Sequence, residues 1–152
     1  MNFFTHEWMT GQLSDEEYEQ IPYTYRRHLK SLRLPREIRR LAFAVNLHDG
    51  RVLKVRHDAD LRVLEIRVRC GDLQRRYRDQ FITYHEALIS DESMRNLHDA
   101  LAIPHDEMLY EEVDRVDEAY VHRVILQSFR EIHVQFSAVD LRMQLVDRRD
   151  SP

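Results

Sequence analysis

Apolar residues recur at helical spacing as far as Leu47 and at every second position after Gly50, so the change of period between Asn46 and Gly50 is the main architectural boundary of the chain. Ser14 with Glu17 three residues on forms a capping box, the hydroxyl accepting from a free first-turn amide while the carboxylate reaches back. The short helix that follows is predicted to stop before Pro22. From Pro22 the residues Tyr25, Leu29 and Leu32 share one helical stripe, with Arg26, Arg27, Lys30 and Arg33 off it. Pro35 starts another helix, because the amide it lacks would be unpaired at the first helical position, and Ile38, Leu41, Ala42 and Val45 keep one face apolar.

Strands dominate from there. Val52 to Arg56 leads through a turn at Asp58-Ala59-Asp60 into Leu64 to Cys70, a strict alternation of apolar and charged residues that marks a half-buried strand. Gly71-Asp72 is a second turn, and Leu73 to Tyr77 and Phe81 to Leu88 are less regular strand segments. Ser90, with acids behind it, caps a helix through Met94, Leu97 and Leu101 that must end near Pro104. Met108 to Val113, Tyr120 to Leu126 and Ile132 to Phe136 follow as strands. In the last, Ile132, Val134 and Phe136 face one way. Bringing Val124 opposite Ile132 requires an odd-numbered loop between Leu126 and Glu131.

This order of elements predicts an α+β fold, with N-terminal helices packed on an antiparallel β-meander and one inserted helix. Patterning leaves an open sheet and a small Sm-like barrel as alternatives. The 152 residues fit a single domain, helical over 1–47 and mainly β over 48–146, with a polar tail at 147–152. Hydrophobic residues at 43% and charged residues at 33% exclude a disordered solvating chain, and no apolar run reaches the length of a membrane span. The opening residues lack a secretory pattern and Cys70 has no partner for an internal disulfide, so the expected location is the cytoplasm, away from any membrane.

A net charge of −4 conceals segregation. Five acids and no base occupy residues 1–20; ten bases against Glu37 and Asp49 occupy 21–56; eleven acids against Arg95 and Arg115 occupy 81–120. The expectation is that the two halves pair inside the fold and cancel much of this field. Arginine outnumbers lysine by 21 to 2, and because the excess extends to strand-like Arg62, Arg67 and Arg69 it reads as coding bias, not as a phosphate-gripping surface.

Nine histidines invite a metal reading that their spacing does not favour: none form a His-Glu-x-x-His helix motif or alternate on a strand, and one cysteine excludes a thiolate cluster. Cys70 ends a strand on its apolar side, where cysteine packs as a small hydrophobe. With three glycines there is no phosphate loop or dinucleotide fingerprint. Glu111 and Glu112 are adjacent on a strand and point to opposite sides. No catalytic residue, cofactor or metal is therefore assigned. The candidate polar cluster is His48, Asp49, Glu112 and His122, which would become a hydrolase or metal site if the fold made them converge. The candidate anion or nucleic-acid surface is Arg26, Arg27, Lys30, Arg33, Arg36, Arg39 and Arg40, interleaved with Tyr23, Tyr25 and Phe43 that could stack on bases.

Three strings carry a resemblance. Phe4-Thr5-His6-Glu7-Trp8, then Leu47-His48-Asp49, then Leu109-Tyr110-Glu111-Glu112 with Tyr120-Val121-His122 and a Phe136 to Leu141 strand, are similar to an uncharacterised bacterial family, a domain of unknown function. Its members share Phe-Thr-x-Glu-Trp, Leu-His-Asp and Leu-Tyr-Glu-Glu boxes. The resemblance implies a small bacterial domain and supplies no reaction or ligand. Small bacterial domains that begin a sheet with Leu-His-Asp also resemble some immunity proteins, which neutralise a partner toxin by binding it, an analogy of fold alone. The leading expectation is thus a non-catalytic protein-binding or interaction domain with a protein partner. An RNA-associated protein using Arg26 to Arg40 is the alternative, and a hydrolase or metal site around His48 and His122 the weaker one.

Overall fold

The computed structural model describes residues 1–71, 76–103 and 105–146. Among these residues four helices and eight strands follow in the order α1 (His6–Met9), α2 (Asp15–Ser31), α3 (Arg36–Ala44), β1 (Arg51–Asp58), β2 (Val63–Cys70), β3 (Arg78–His85), β4 (Leu88–Ile89), α4 (Asp91–Ala102), β5 (Met108–Val116), β6 (Ala119–Leu126), β7 (Glu131–Phe136) and β8 (Ala138–Leu145). The fold is α+β, and its strands form two open antiparallel sheets of order β1-β2-β3-β8 and β4-β7-β6-β5.

Two meanders, β1-β2-β3 and β5-β6-β7, are each extended by a strand from the other half of the chain. The expected Phe81 to Leu88 strand breaks at Glu86, whose φ of 51° is left-handed, and the chain crosses from one sheet to the other as β3 gives way to β4. The expected Phe136 to Leu141 strand breaks likewise at Ser137, whose amide donates to the His85 carbonyl at 3.0 Å, and resumes as β8. The odd loop after β6 is present: Val124 lies opposite Ile132, and Leu126 donates to Arg130 across Gln127-Ser128-Phe129. Gly50 forms an isolated bridge with Met108, where a Cβ would stand 2.5 Å from the Leu47 carbonyl oxygen. The expected strand Leu73 to Tyr77, the end of the Gly71-Asp72 turn, Pro104 and the tail from Asp147 lie wholly or partly outside the described residues.

The first helix was expected to end before Pro22; it runs on without interruption to Ser31. Proline at that position removes the amide that would donate to the Tyr18 carbonyl four residues back. Trp8 replaces it: its indole N–H donates to the Tyr18 carbonyl at 3.0 Å while its ring stacks on Tyr18 at 4.8 Å and 7°. The capping box at Ser14 and Glu17 forms as expected, and Pro35 stands one place earlier than expected, as the cap of α3.

Alternation on β2 buries Leu64, Ile66, Val68 and Cys70 against Ile82, Tyr84, Leu126, Ile132, Val134 and Phe136 of the common core. Helix α4 lies against β1 and β7, and α3 against β8 and β5. Helix α2 touches the sheets through few residues. The Tyr25 hydroxyl accepts the Val113 amide at 2.6 Å, and the His28 ring lies 2.8 Å from Asp114.

Candidate functional site

The four residues of the polar cluster do not converge: His48 and Asp49 pair with each other, and Glu112 and His122 are bonded to other neighbours. Glu112 on β5 is 1% exposed, and its carboxylate accepts the backbone amides of Asn2, Phe3 and Phe4 at 2.6 to 3.1 Å. That clamp seats Phe4 against Trp8, Tyr25 and Tyr110 and holds the amino-terminal segment on the second sheet. His48 is exposed, 3.0 Å from Asp49 and edge-on to the Tyr110 ring. Among the described residues no group of three or more His, Cys, Asp or Glu is placed to hold a metal ion.

His122 belongs to a second network that sequence reading misses. Its Nδ1 lies 2.7 Å from the Tyr84 hydroxyl and its Nε2 3.2 Å from Glu111, whose other oxygen accepts the Leu47 amide at 3.1 Å. Burial first, and the Glu111 charge second, push the Tyr84 phenol far above its ordinary value, so it remains an O–H donor. The ring therefore accepts at Nδ1 and donates from Nε2 to the carboxylate. Tyr84 stands on β3 and His122 on β6, so this bond ties one sheet to the other through the core. Both side chains are 1% exposed, which closes them to substrate. Cys70 is buried too, its thiol pushed up to about 12 chiefly by burial, which keeps it protonated and unreactive.

The basic segment is arranged differently. Arg26, Arg27 and Lys30 on α2, Arg33 in the connection, and Arg36, Arg39 and Arg40 on α3 are all exposed. Between the two helices lies a groove of about 370 Å³ lined by Leu29, Leu32 and Leu34 with Arg26, Lys30, Arg39 and Phe43. Glu37 takes Arg40 at 2.5 Å and Arg36 at 3.7 Å. Arg26, Arg27, Lys30, Arg33 and Arg39 form no ion pair among the described residues. The expected cancellation of the two charged halves does not occur on this face, and several acids of the second half are bound elsewhere: Asp99 and Asp106 hold Arg130, Glu86 holds Arg62, and Asp114 holds Arg123 with His28. Of the three interleaved aromatics, Tyr25 is turned inward, Tyr23 is 72% exposed on the outward face of α2, and Phe43 flanks the groove.

A further surface, unforeseen in the sequence, lies on the outer side of the first sheet, where the register sets Lys54, Arg67, Phe81 and Arg142 in one row across all four strands. Arg142 lies 3.9 Å and Arg67 5.4 Å from the Phe81 ring centre, so the protein's own guanidinium groups occupy that ring. Arg67 and Arg69 also converge on the buried Asp79. Burial would raise the Asp79 carboxyl, yet the bonds from Arg69 and Arg67 hold it below its ordinary value.

No helix among the described residues is long and apolar enough to cross a membrane. No protein-family model matches the chain, and no curated protein or solved structure matches it.

Proposed function

We propose that this chain is a non-catalytic protein-binding domain that takes an acidic partner on the face formed by α2 and α3. The observation that carries the reading is the set of five cations, Arg26, Arg27, Lys30, Arg33 and Arg39, left without an ion pair around a groove with a leucine floor. Unpaired charge of one sign beside apolar surface favours a partner of the opposite sign that also offers aliphatic side chains, and such a field speeds encounter. The most connected polar networks, at Glu112 and at His122, are engaged in holding the fold together. Immunity-type neutralisation of another protein is one form this binding takes. RNA is the second reading, since Tyr23 and Phe43 are open rings near these cations; the leucine floor of the groove favours a partner with aliphatic side chains over a nucleic acid.

The reading is tested by titrating the protein with a labelled helical peptide of alternating glutamate and leucine positions and, separately, with single-stranded oligouridine. The peptide is expected to bind, to lose about tenfold in affinity as salt rises from about 0.05 to about 0.5 M, and to be released by Arg26→Glu with Arg39→Glu. Tight oligouridine binding with no peptide binding overturns the proposal in favour of RNA; no binding of either overturns both.

A further inference from the structure

The outward stripe of α2 is a charge palindrome. Glu16, Glu19 and Gln20 precede Tyr23 on it, and Arg26, Arg27 and Lys30 follow. These positions recur at three and four residues, which places them on one outward face of the helix, while Tyr25 and Leu29 turn toward the rest of the protein; Arg26 and Lys30 stand where this stripe borders the α2–α3 groove. Tyr23 is the midpoint of Asp15–Ser31 and, among the described residues, the most exposed of the large hydrophobic side chains. Its neighbours are symmetric about it: Glu19 and Arg27 lie four residues to either side, and Glu16 and Lys30 seven.

From this symmetry we propose that two copies of the chain associate through α2, antiparallel about a twofold axis at Tyr23. In that arrangement Glu19 of each copy faces Arg27 of the other, Glu16 faces Lys30, Gln20 faces Arg26, and the two Tyr23 rings meet at the centre. A twofold contact requires one surface to be its own complement, and this stripe is. The charges cannot satisfy one another within a helix. Pairing along a helix needs a spacing of three or four residues, whereas Glu19 and Arg27 stand about 12 Å apart along the axis and Glu16 and Lys30 about 21 Å. None of the four forms an ion pair elsewhere among the described residues. The helix dipole also favours acids at the start and bases at the end; it does not require them to be mirrored on one stripe about an exposed tyrosine. A single helix about 25 Å long offers less than the ~800 Å² per partner of a standard interface, so the dimer is weak, reversible and salt-sensitive.

The test is sedimentation of the full chain and its variants at about 50 mM and about 500 mM salt. Wild type is expected to dimerise at low salt, with affinity falling about tenfold or more at high salt. Glu19→Arg and Arg27→Glu, each alone, place like charges opposite each other and are expected to be monomers with unchanged helical signal, since both positions are exposed. Mixed one to one, the two variants restore both attractive pairs and are expected to associate, as is the double variant Glu19→Arg/Arg27→Glu with itself. A wild type that remains monomeric at about 1 mM and low salt overturns the proposal, as does a dimer indifferent to either reversal or a mixture that fails to associate. Glu19→Arg leaves all five cations of the acidic-partner face in place, and Glu19 does not line the α2–α3 groove, so self-association and peptide binding measured on this variant separate the two proposals; Arg27→Glu removes one of those cations and is read for association alone.

Discussion

The indole of Trp8 donates to the Tyr18 carbonyl at 3.0 Å, supplying the hydrogen bond that Pro22 removes from the interior of α2. Trp8→Phe keeps most of the ring stacking and loses the donor, so it should cost on the order of 1 to 2 kcal/mol in chemical denaturation. Pro22→Ala restores an amide to the helix. The loss on Trp8→Phe should therefore be smaller in the Pro22→Ala background, and a thermodynamic cycle over the four proteins measures the coupling.

Glu112 gathers three consecutive backbone amides at the start of the chain. Glu112→Gln retains the shape and loses the charge, and should destabilise the protein by about 2 to 4 kcal/mol. Hydrogen exchange gives the local readout: the amides of Phe3 and Phe4 should lose protection before those of β2.

Tyr84→Phe leaves His122 Nδ1 buried without its donor, a cost of roughly 1 to 3 kcal/mol. Nitrogen NMR of wild type should find the His122 proton on Nε2, facing Glu111. Activity of any kind that disappears with this substitution while stability holds would assign the network a chemical role instead.

Acid should weaken the fold through Asp79 and Asp114. At both, burial raises the carboxyl but bonded partners outweigh it: Arg69 and Arg67 at Asp79, and the His28 ring, the Arg115 amide and Arg123 at Asp114. A folded pKa held below the unfolded value, about 4, contributes stability that is complete above that value and is lost as pH falls through the folded one. Asp79→Asn should thus cost on the order of 2 kcal/mol at neutral pH and far less near about pH 2, seen as a flatter acid limb in denaturation midpoints.

Local pattern was legible where neighbours in sequence decide the outcome. Alternation from Leu64 to Cys70 gave β2 its inward face, Ser14 and Glu17 gave the start of α2, and Ser90 that of α4. What pattern could not reach were partners far along the chain. β3 pairs with β8 through Tyr84 and Val139, the Tyr84–His122 bond spans 38 residues, and the donor that lets α2 pass Pro22 comes from outside that helix. Glu112 was singled out as a polar candidate, but nothing in its surroundings on β5 announced the amides of Asn2 to Phe4. The basic residues were found in sequence; that five of them stand without an ion pair among the described residues required the fold.

Chemical-shift mapping tests most directly whether α2 and α3 form an unneutralised docking face. On titration with the glutamate–leucine peptide, backbone shifts should concentrate at Arg26, Leu29, Lys30, Leu34, Arg39 and Phe43, the residues around the groove. Shifts centred instead on the row of Lys54, Arg67, Phe81 and Arg142, or scattered without a centre, would contradict it.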